Sequence, residues 1–205
     1  SVFCRDNKPF DLFRDHVMPH LLATRGDKKS FRLWCAAASS GQEPYSISIL
    51  IREEAAKLAG WRTEIVGTDI SREILEKAKS GLYSQFEVQR GLPIQMLLKY
   101  FVKQDDMWQA DAALRAMVTY KEYNLLTDLS PLGKFDIVFC RNVLIYFDQD
   151  TKGKVLEQIS RLMADDGVLF LGGAETVLGV SDKSKPISGF RGVYCKAESD
   201  LTFAS

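Results

Sequence analysis

The sequence lacks most of what would tie a protein to a membrane, a polyanion or an oxidising compartment. No apolar run approaches the roughly 20 residues needed to span a bilayer. The N-terminus lacks the basic, apolar and small-residue order of a signal peptide. Neither sign of charge is in excess, since 27 Lys and Arg balance 27 Asp and Glu. That balance gives no reason to expect a nucleic-acid partner or direct membrane insertion. Cysteine is scarce and scattered: Cys4, Cys35, Cys140 and Cys195 form no C-x-x-C pair. Cys35 and Cys140 fall in strand-like apolar runs, where a thiol packs as a small hydrophobe. The set suits a reducing cytoplasm rather than a disulfide framework. His16 and His20 are the two histidines. With Pro19 between them they read as solvated or packed side chains, and no metal site is expected.

A chain of 205 residues, 46% apolar and 26% charged, is long enough for one α/β domain with a sizeable core. Strand-like runs at Phe31 to Cys35, Glu64 to Asp69, Met117 to Asn124, Phe135 to Asn142, Gly167 to Gly173 and Gly192 to Lys196 alternate with helical segments. That alternation predicts a mostly parallel sheet. The last run follows a long loop without a clear helix, which predicts an antiparallel edge hairpin. Pro44 suits a first helical turn, and Ile47, Leu50, Ile51, Ala55 and Leu58 then share one face. Ser71 can cap a helix carrying Ile74, Leu75 and Ala78, which Gly81 can end. From Thr151 to Ala164, Val155, Leu156, Ile159, Leu162 and Met163 form one stripe. Residues 1–23 read as a helix-rich lead-in. Between Gly81 and Asn124 lies more chain than a simple β-α-β connection needs, predicting a small inserted β subdomain at about 92–123.

Three segments carry chemistry. The first is WCAAASSGQEPYS, Trp34 to Ser46, where a strand passes through small residues into a helix. Small side chains admit a ligand to the backbone, and a helix start offers unpaired N–H groups. A pyrophosphate cradle wants several glycines, and this turn has only Gly41. Glu43 beside the helix start would repel a pyrophosphate and attract a cationic ligand; it also reads as a capping acid on a tight turn. The second is Asp69, closing EIVGTD. An acid at the carboxyl end of the second strand commonly accepts from both ribose hydroxyls, and Asp-x-Ser equally reads as a helix cap. The third is FDIVFCRNVLIYFD, Phe135 to Asp148, where Arg141 and Asn142 follow a buried run. Ligands of open α/β sheets bind outside the carboxyl ends of the strands. Tyr146 and Phe147 come next, either at that rim or as core aromatics.

In combination AAASSGQEPYSI, GTDIS, YNLL and FDIVFCRNVLIYFD resemble the chemotaxis receptor methyltransferase (CheR) family, over nearly the whole chain. The resemblance implies a Rossmann-like S-adenosylmethionine-dependent methyltransferase fold with an inserted three-stranded subdomain. It implies a catalytic domain at 24–205 and a lead-in that is the remnant of a helical N-terminal domain. By matching position, the cofactor residues would be Ser1, Arg5, Glu43, Asp69, Asn124, Leu125, Arg141 and Asn142. Ser1 stands where the family shows threonine, and Cys4 where it shows phenylalanine. Glu43 would face the amino-acid end of the cofactor, Asp69 the ribose, and Asn124 with Leu125 the adenine. The implied reaction esterifies glutamate side chains of methyl-accepting chemoreceptors, on their cytoplasmic domain. Arg141 and Tyr146 are the candidate catalytic residues, orienting the acceptor carboxylate.

Glutamate is largely ionised near neutral pH and needs no general base to act as a nucleophile. The lack of a His-Asp or Cys-His pair accords with that chemistry. Family members that dock a receptor's C-terminal pentapeptide carry a glycine-containing extension in the subdomain loop. Lys103 to Ala110, KQDDMWQA, has no glycine, so recognition independent of such a peptide is expected. Competing readings are a methyltransferase with another acceptor, a cofactor-binding signalling module without catalysis, and a nicotinamide dehydrogenase. Balanced charge counts against a nucleic-acid acceptor, and the lone Gly41 against the dehydrogenase.

Overall fold

A computed structural model describes residues 1–203. The chain begins with an irregular stretch, 1–7, then Lys8–Leu12 (α1), a π-helical turn at Phe13–Val17 and Met18–Thr24 (α2). The sheet starts with Ser30–Cys35 (β1), followed by Gln42–Glu53 (α3), Arg62–Asp69 (β2) and Arg72–Ser80 (α4). Next come Leu82–Ser84 (β3), Gln85–Gln89 (α5), Ile94–Tyr100 (α6), Phe101–Gln104 (β4), Met107–Ala110 (β5), Ala112–Ala116 (α7) and Val118–Glu122 (β6). Phe135–Cys140 (β7), Gln149–Leu162 (α8), Met163–Leu171 (β8), Ser184–Pro186 (β9) and Val193–Lys196 (β10) complete it.

Local chemistry sets the helix limits. Ser71 accepts the Ile74 N–H at 3.2 Å to open α4, and Gly81 closes it in the left-handed conformation at φ 62°. Ser84 and Glu87 form a reciprocal capping box on α5. Asp148 accepts the Thr151 N–H at 2.8 Å to open α8. The helix begun near Pro44 stops at Glu53, short of the expected Leu58, and residues beyond it continue as turns.

Seven strands form one sheet in the order β6-β2-β1-β7-β8-β10-β9. β10 alone runs against the others, giving the expected antiparallel edge with the short β9, which had too little sequence to announce itself. Strands β1 and β7 alternate between two buried layers. Leu33, Cys35, Ile137 and Phe139 point into a core shared with the N-terminal helices, α3 and α4. Trp34, Val138 and Cys140 point into a second core closed by Val155, Leu156 and Ile159 of α8. Strands buried on both faces read as continuous apolar runs, which is why β7 was legible. Among the described residues, no helix is long and apolar enough to cross a membrane.

The small antiparallel sheet has the order β3-β5-β4, and both of its boundaries differ from the expected 92–123. It opens at Leu82, whose three-residue strand is too short to show alternation. It gives way before Val118, because β6 pairs with β2 in the main sheet, Ile65 opposite Val118. The lead-in also divides: helices span Lys8 to Thr24, whereas Phe3 is buried edge-on against Tyr83 and Phe101. The first residues therefore run between the subdomain and the main sheet. Both histidines pack in this region, His20 at 2.8 Å from Asp166 and His16 against Phe190 and Phe203.

One ion cluster ties the lead-in to the sheet. Arg25, 8% exposed, donates to Asp136 on β7 at 2.9 Å and to Asp166 on β8 at 2.7 Å. Arg25 and His20 hold Asp166 well below the ordinary carboxylate range. A carboxylate with a depressed folded pKa contributes stability above its unfolded pKa, which is lost as pH falls through the folded value. Removing one partner of a buried pair costs roughly 3–5 kcal/mol, with the lower end applying here because Asp166 is a third exposed. Arg25→Ala should therefore lower unfolding stability by about 3 kcal/mol at pH 7. Urea titration should show the gap to wild type narrowing below pH ~4, where Asp166 loses its charge in the unfolded chain.

Candidate functional site

The strand order reverses between β1 and β7: from β1 the chain moves outward to β2 on one side, and from β7 to β8 on the other. Such a switch point opens a crevice outside the carboxyl ends of the strands. The ends of β1, β2 and β7 are Cys35, Asp69 and Cys140. Two adjoining cavities occupy that crevice. The first, about 290 Å³, is bordered by Ser1, Arg5, Glu43, Asp69, Arg141 and Asn142, with Ala37 and Ser39 on its floor. The second, about 270 Å³, is bordered by Asn124, Leu125, Ile70, Leu126, Tyr123 and Phe147. Ala37, Asp69, Val143 and Tyr146 border both.

All eight residues matched from sequence to a cofactor border this pair of cavities. The turn after β1 is tightly packed. Ala38 N–H donates to the Thr68 carbonyl at 2.8 Å, tying the turn to β2. Gly41 has φ 97°, and a Cβ there would lie 2.9 Å from the hydroxyls of both Tyr83 and Tyr120. The lone glycine of the motif is required by packing and backbone, whatever ligand binds.

Asp69 is half-buried. One carboxylate oxygen accepts the Ser39 N–H at 2.9 Å and the other the Ser71 N–H at 3.1 Å. Capping of α4 falls to the Ser71 side chain, so the capping alternative for Asp69 does not hold. Each carboxylate oxygen can accept twice, so one acceptor position per oxygen is left over at the cavity. The capping alternative for Glu43 fails likewise, since α3 has no side-chain cap and the residue before it is Gly41. Its carboxylate instead receives Arg141 Nη1 at 3.3 Å. Burial pushes the Glu43 carboxyl up to about 7, against the pull of Arg141 and Arg5.

Arg141 is the most enclosed charge of the site, its side chain 1% exposed. Besides Glu43 it donates from Nη2 to Asp6 at 2.9 Å and to the Arg5 carbonyl at 3.1 Å. It thereby fastens residues 1–7 as one wall of the crevice. Cys4, Asp6 and Asn7 hold positive φ in that wall, and the Cys4 N–H is fixed by the Ser46 hydroxyl at 2.9 Å. Leu125 turns its side chain into the second core while bordering the cavity. The Asn124 side chain accepts the Leu126 N–H at 2.9 Å and shapes that loop.

Tyr146 is 79% exposed, so the core-aromatic alternative for it is excluded; Phe147 packs partly against the second core. Sequence reasoning missed Asp6, for which no motif exists, and Glu175. The carboxylate of Glu175 lies beneath the loop that follows β7. Its signal was available, because it is a charge just beyond the carboxyl end of a buried strand, the rule that singled out Arg141.

The pair of cavities fits a ligand with a cationic head, a vicinal diol and a flat heterocycle. Glu43 and Asp69 supply carboxylates at the first cavity, and the second is walled by Ile70, Leu126 and Phe147. A family model described as "CheR methyltransferase, SAM binding domain" matches residues 1–193. Chemotaxis protein methyltransferase 1 of Pseudomonas aeruginosa is 38% identical over 202 residues, 97% of this chain and 73% of that protein. Chemotaxis protein methyltransferase 1 of Vibrio cholerae is 36% identical over 199 residues, 96% of this chain and 71% of that protein. The crystal structure of the DszA carbon methyltransferase matches 80% of this chain and 35% of its own, with TM-score 0.50 at 18% identity. That last likeness speaks for the fold alone.

A Glu43 carboxyl raised to about 7 would make the binding of a cationic ligand in this cavity pH-dependent. A cationic amino group binds the ionised form, so a proton on Glu43 competes with the ligand. Affinity for S-adenosylhomocysteine should fall below pH ~7, approaching tenfold per unit. Calorimetry from pH 5.5 to 8 should show this acid limb levelling off above pH ~7, and Glu43→Gln should flatten it. An acid limb that survives in Glu43→Gln would assign it to another group.

Proposed function

The chain belongs to the CheR family of S-adenosylmethionine-binding methyltransferases, and from that premise we propose that it methylates glutamate side chains of a methyl-accepting chemoreceptor. The acceptor is the receptor's cytoplasmic domain, and the product is a glutamate methyl ester formed in sensory adaptation. What supports the reading most is the convergence of every motif-matched residue on one crevice at the strand switch point.

Bound S-adenosylmethionine supplies an electrophilic methyl group on a sulfonium and a neutral leaving group. The protein's residues divide the remaining work. Glu43, braced by Arg141, attracts the cationic amino end; Asp69 offers its two spare acceptor positions to the ribose hydroxyls. Tyr123, Asn124 and Leu125 flank the adenine space. Arg141 is committed to Glu43, Asp6 and the Arg5 carbonyl. It therefore acts first on the shape and charge of the cofactor cavity, and on the acceptor through that shape. Tyr146 is the exposed group at the rim of both cavities and orients the acceptor carboxylate. Neither histidine borders the crevice, and an ionised acceptor needs no proton removed. Catalysis then consists of alignment and of excluding water from opposite charges that cancel during transfer.

Single-turnover methyl transfer to a receptor cytoplasmic domain, at saturating cofactor from pH 6 to 9, tests this scheme. The wild-type rate should be flat, since the acceptor carboxylate is ionised throughout. Tyr146→Phe should lower it by up to about a hundredfold with cofactor affinity nearly unchanged, as expected for a lost orienting contact. Arg141→Ala should weaken cofactor binding as well. A tenfold rise per pH unit would reveal a required deprotonation and defeat the mechanism. A normal rate in Tyr146→Phe would strip that residue of its role.

The hairpin between β4 and β5 turns through Asp105 and Asp106 alone. So short a loop supports recognition that is independent of a receptor's C-terminal aromatic pentapeptide. Calorimetry with such a peptide should show no binding at micromolar concentration, and a micromolar Kd would overturn this point.

A further inference from the structure

The loop after β7, residues 141–147, supplies Arg141, Asn142, Val143 and Tyr146 to the crevice. Its backbone has few partners of its own. Leu144–Tyr146 form a single 3-10 turn, and the residue before it provides no side-chain cap. The N–H groups that open a helical turn have no partner within it. Asn142 adds a left-handed backbone at φ 62°, an uncommon conformation for a residue with a side chain.

These donors are gathered by one carboxylate from elsewhere in the fold. Glu175 follows β8 by four residues and is 9% exposed. One of its oxygens accepts the N–H of Asn142 at 2.7 Å and of Gly172 at 2.8 Å. The other accepts the N–H of Leu144 at 2.7 Å, Val143 at 3.1 Å and Ile145 at 3.3 Å. Successive N–H groups in such a mixed right- and left-handed turn form a concavity for an anion, and here the anion is the protein's own. Hydrogen bonds to an ionised acceptor are roughly twice as strong as neutral ones. They offset the strain at Asn142 and order four consecutive residues.

A Cβ at Gly172 would lie 2.5 Å from Asn142 Oδ1 and 2.9 Å from Glu175 Oε1, whereas one at Gly173 would meet nothing within 4 Å. Adjacent glycines thus differ: a side chain at Gly172, and not at Gly173, must displace the end of Asn142 or of Glu175.

We propose that Glu175 is a positioning residue for methyl transfer: its carboxylate holds the backbone of Asn142 to Ile145, and so fixes the crevice wall that carries Asn142, Val143 and Tyr146. The proposal rests on the methyl-transfer reading of the crevice. Glu175 touches neither ligand nor acceptor and acts through the loop.

The test uses the full chain with Glu175→Gln, Gly172→Ala and, as a control, Gly173→Ala. Three quantities are read: backbone amide exchange of residues 142–147, calorimetric affinity for S-adenosylhomocysteine, and the single-turnover rate at saturating cofactor. Glu175→Gln keeps the size of the side chain but turns an amide NH₂ toward N–H donors. Exchange at Asn142 to Ile145 should accelerate at least about tenfold while the amides of β1 and β2 keep wild-type protection, because an ordered donor set has lost its acceptor. Affinity should fall by about tenfold, and the rate at saturation by more, because Tyr146 loses its fixed place. Gly172→Ala should reproduce this pattern with the carboxylate retained, and Gly173→Ala should match wild type.

Wild-type exchange and affinity in Glu175→Gln would overturn the proposal. So would exchange that rises uniformly along the chain with normal activity per folded molecule, which marks a purely structural role. Should Glu175→Gln fail to fold, Gly172→Ala decides by the same criteria. A wild-type chain that binds no S-adenosylhomocysteine would remove the cofactor reading itself. One that binds and transfers methyl groups, beside a Glu175→Gln equal to it, would remove only the role of Glu175.

Discussion

The parallel pairing of β1 with both β2 and β7 is the constraint on which the molecule depends. Cys35 stands opposite Gly67 on one side and Phe139 on the other, so three strands end nearly level. Their loops must leave in opposite directions because the strand order reverses there. That divergence opens the crevice and brings together residues as distant in sequence as Ser1, Glu43, Asp69 and Arg141. Moving β7 by one register would turn Phe139 and Cys140 to the wrong faces and carry Arg141 away from Glu43.

Around that crevice, order comes from charges placed where water is scarce. Arg141 cannot stay charged at 1% exposure without acceptors, and Glu43, Asp6 and the Arg5 carbonyl provide them. Asp69 and Glu175 do for backbone donors what Glu43 does for the guanidinium: the first fixes the turn after β1 and the second the loop after β7. Each carboxylate shapes a wall as well as the electrostatics of the space. The same low-dielectric setting raises the Glu43 carboxyl to about 7. Stability is secured elsewhere, in the two apolar layers and in the Arg25 cluster that joins lead-in to sheet.

Much of this was legible in the residues. The four central strands β1, β2, β7 and β8 announce themselves as apolar runs because they are buried on both faces, and Ser71 and Gly81 mark their helix by local hydrogen-bond chemistry. Strands of three residues, β3 and β9, do not, since so short a segment shows no period. The subdomain boundaries slipped for that reason, and because membership of β6 in the main sheet is a pairing with β2, not a property of its own sequence.

The sequence by itself singled out Glu43, Asp69 and Arg141, since small residues and charges at strand ends are local facts, and the family resemblance added Asn124; all four border the crevice. Tertiary structure alone decided what each does there. Whether Asp69 caps a helix or keeps acceptor positions free depends on whether Ser71 takes the cap. Whether Tyr146 is core or rim depends on how its loop is held. That Arg141 braces Glu43 and the first residues of the chain, and that Glu175 supports the opposite wall, follows from contacts across 98 and 33 positions of sequence. Such contacts leave no local trace, because a charge finds its partner only after the apolar layers have fixed where the strands end.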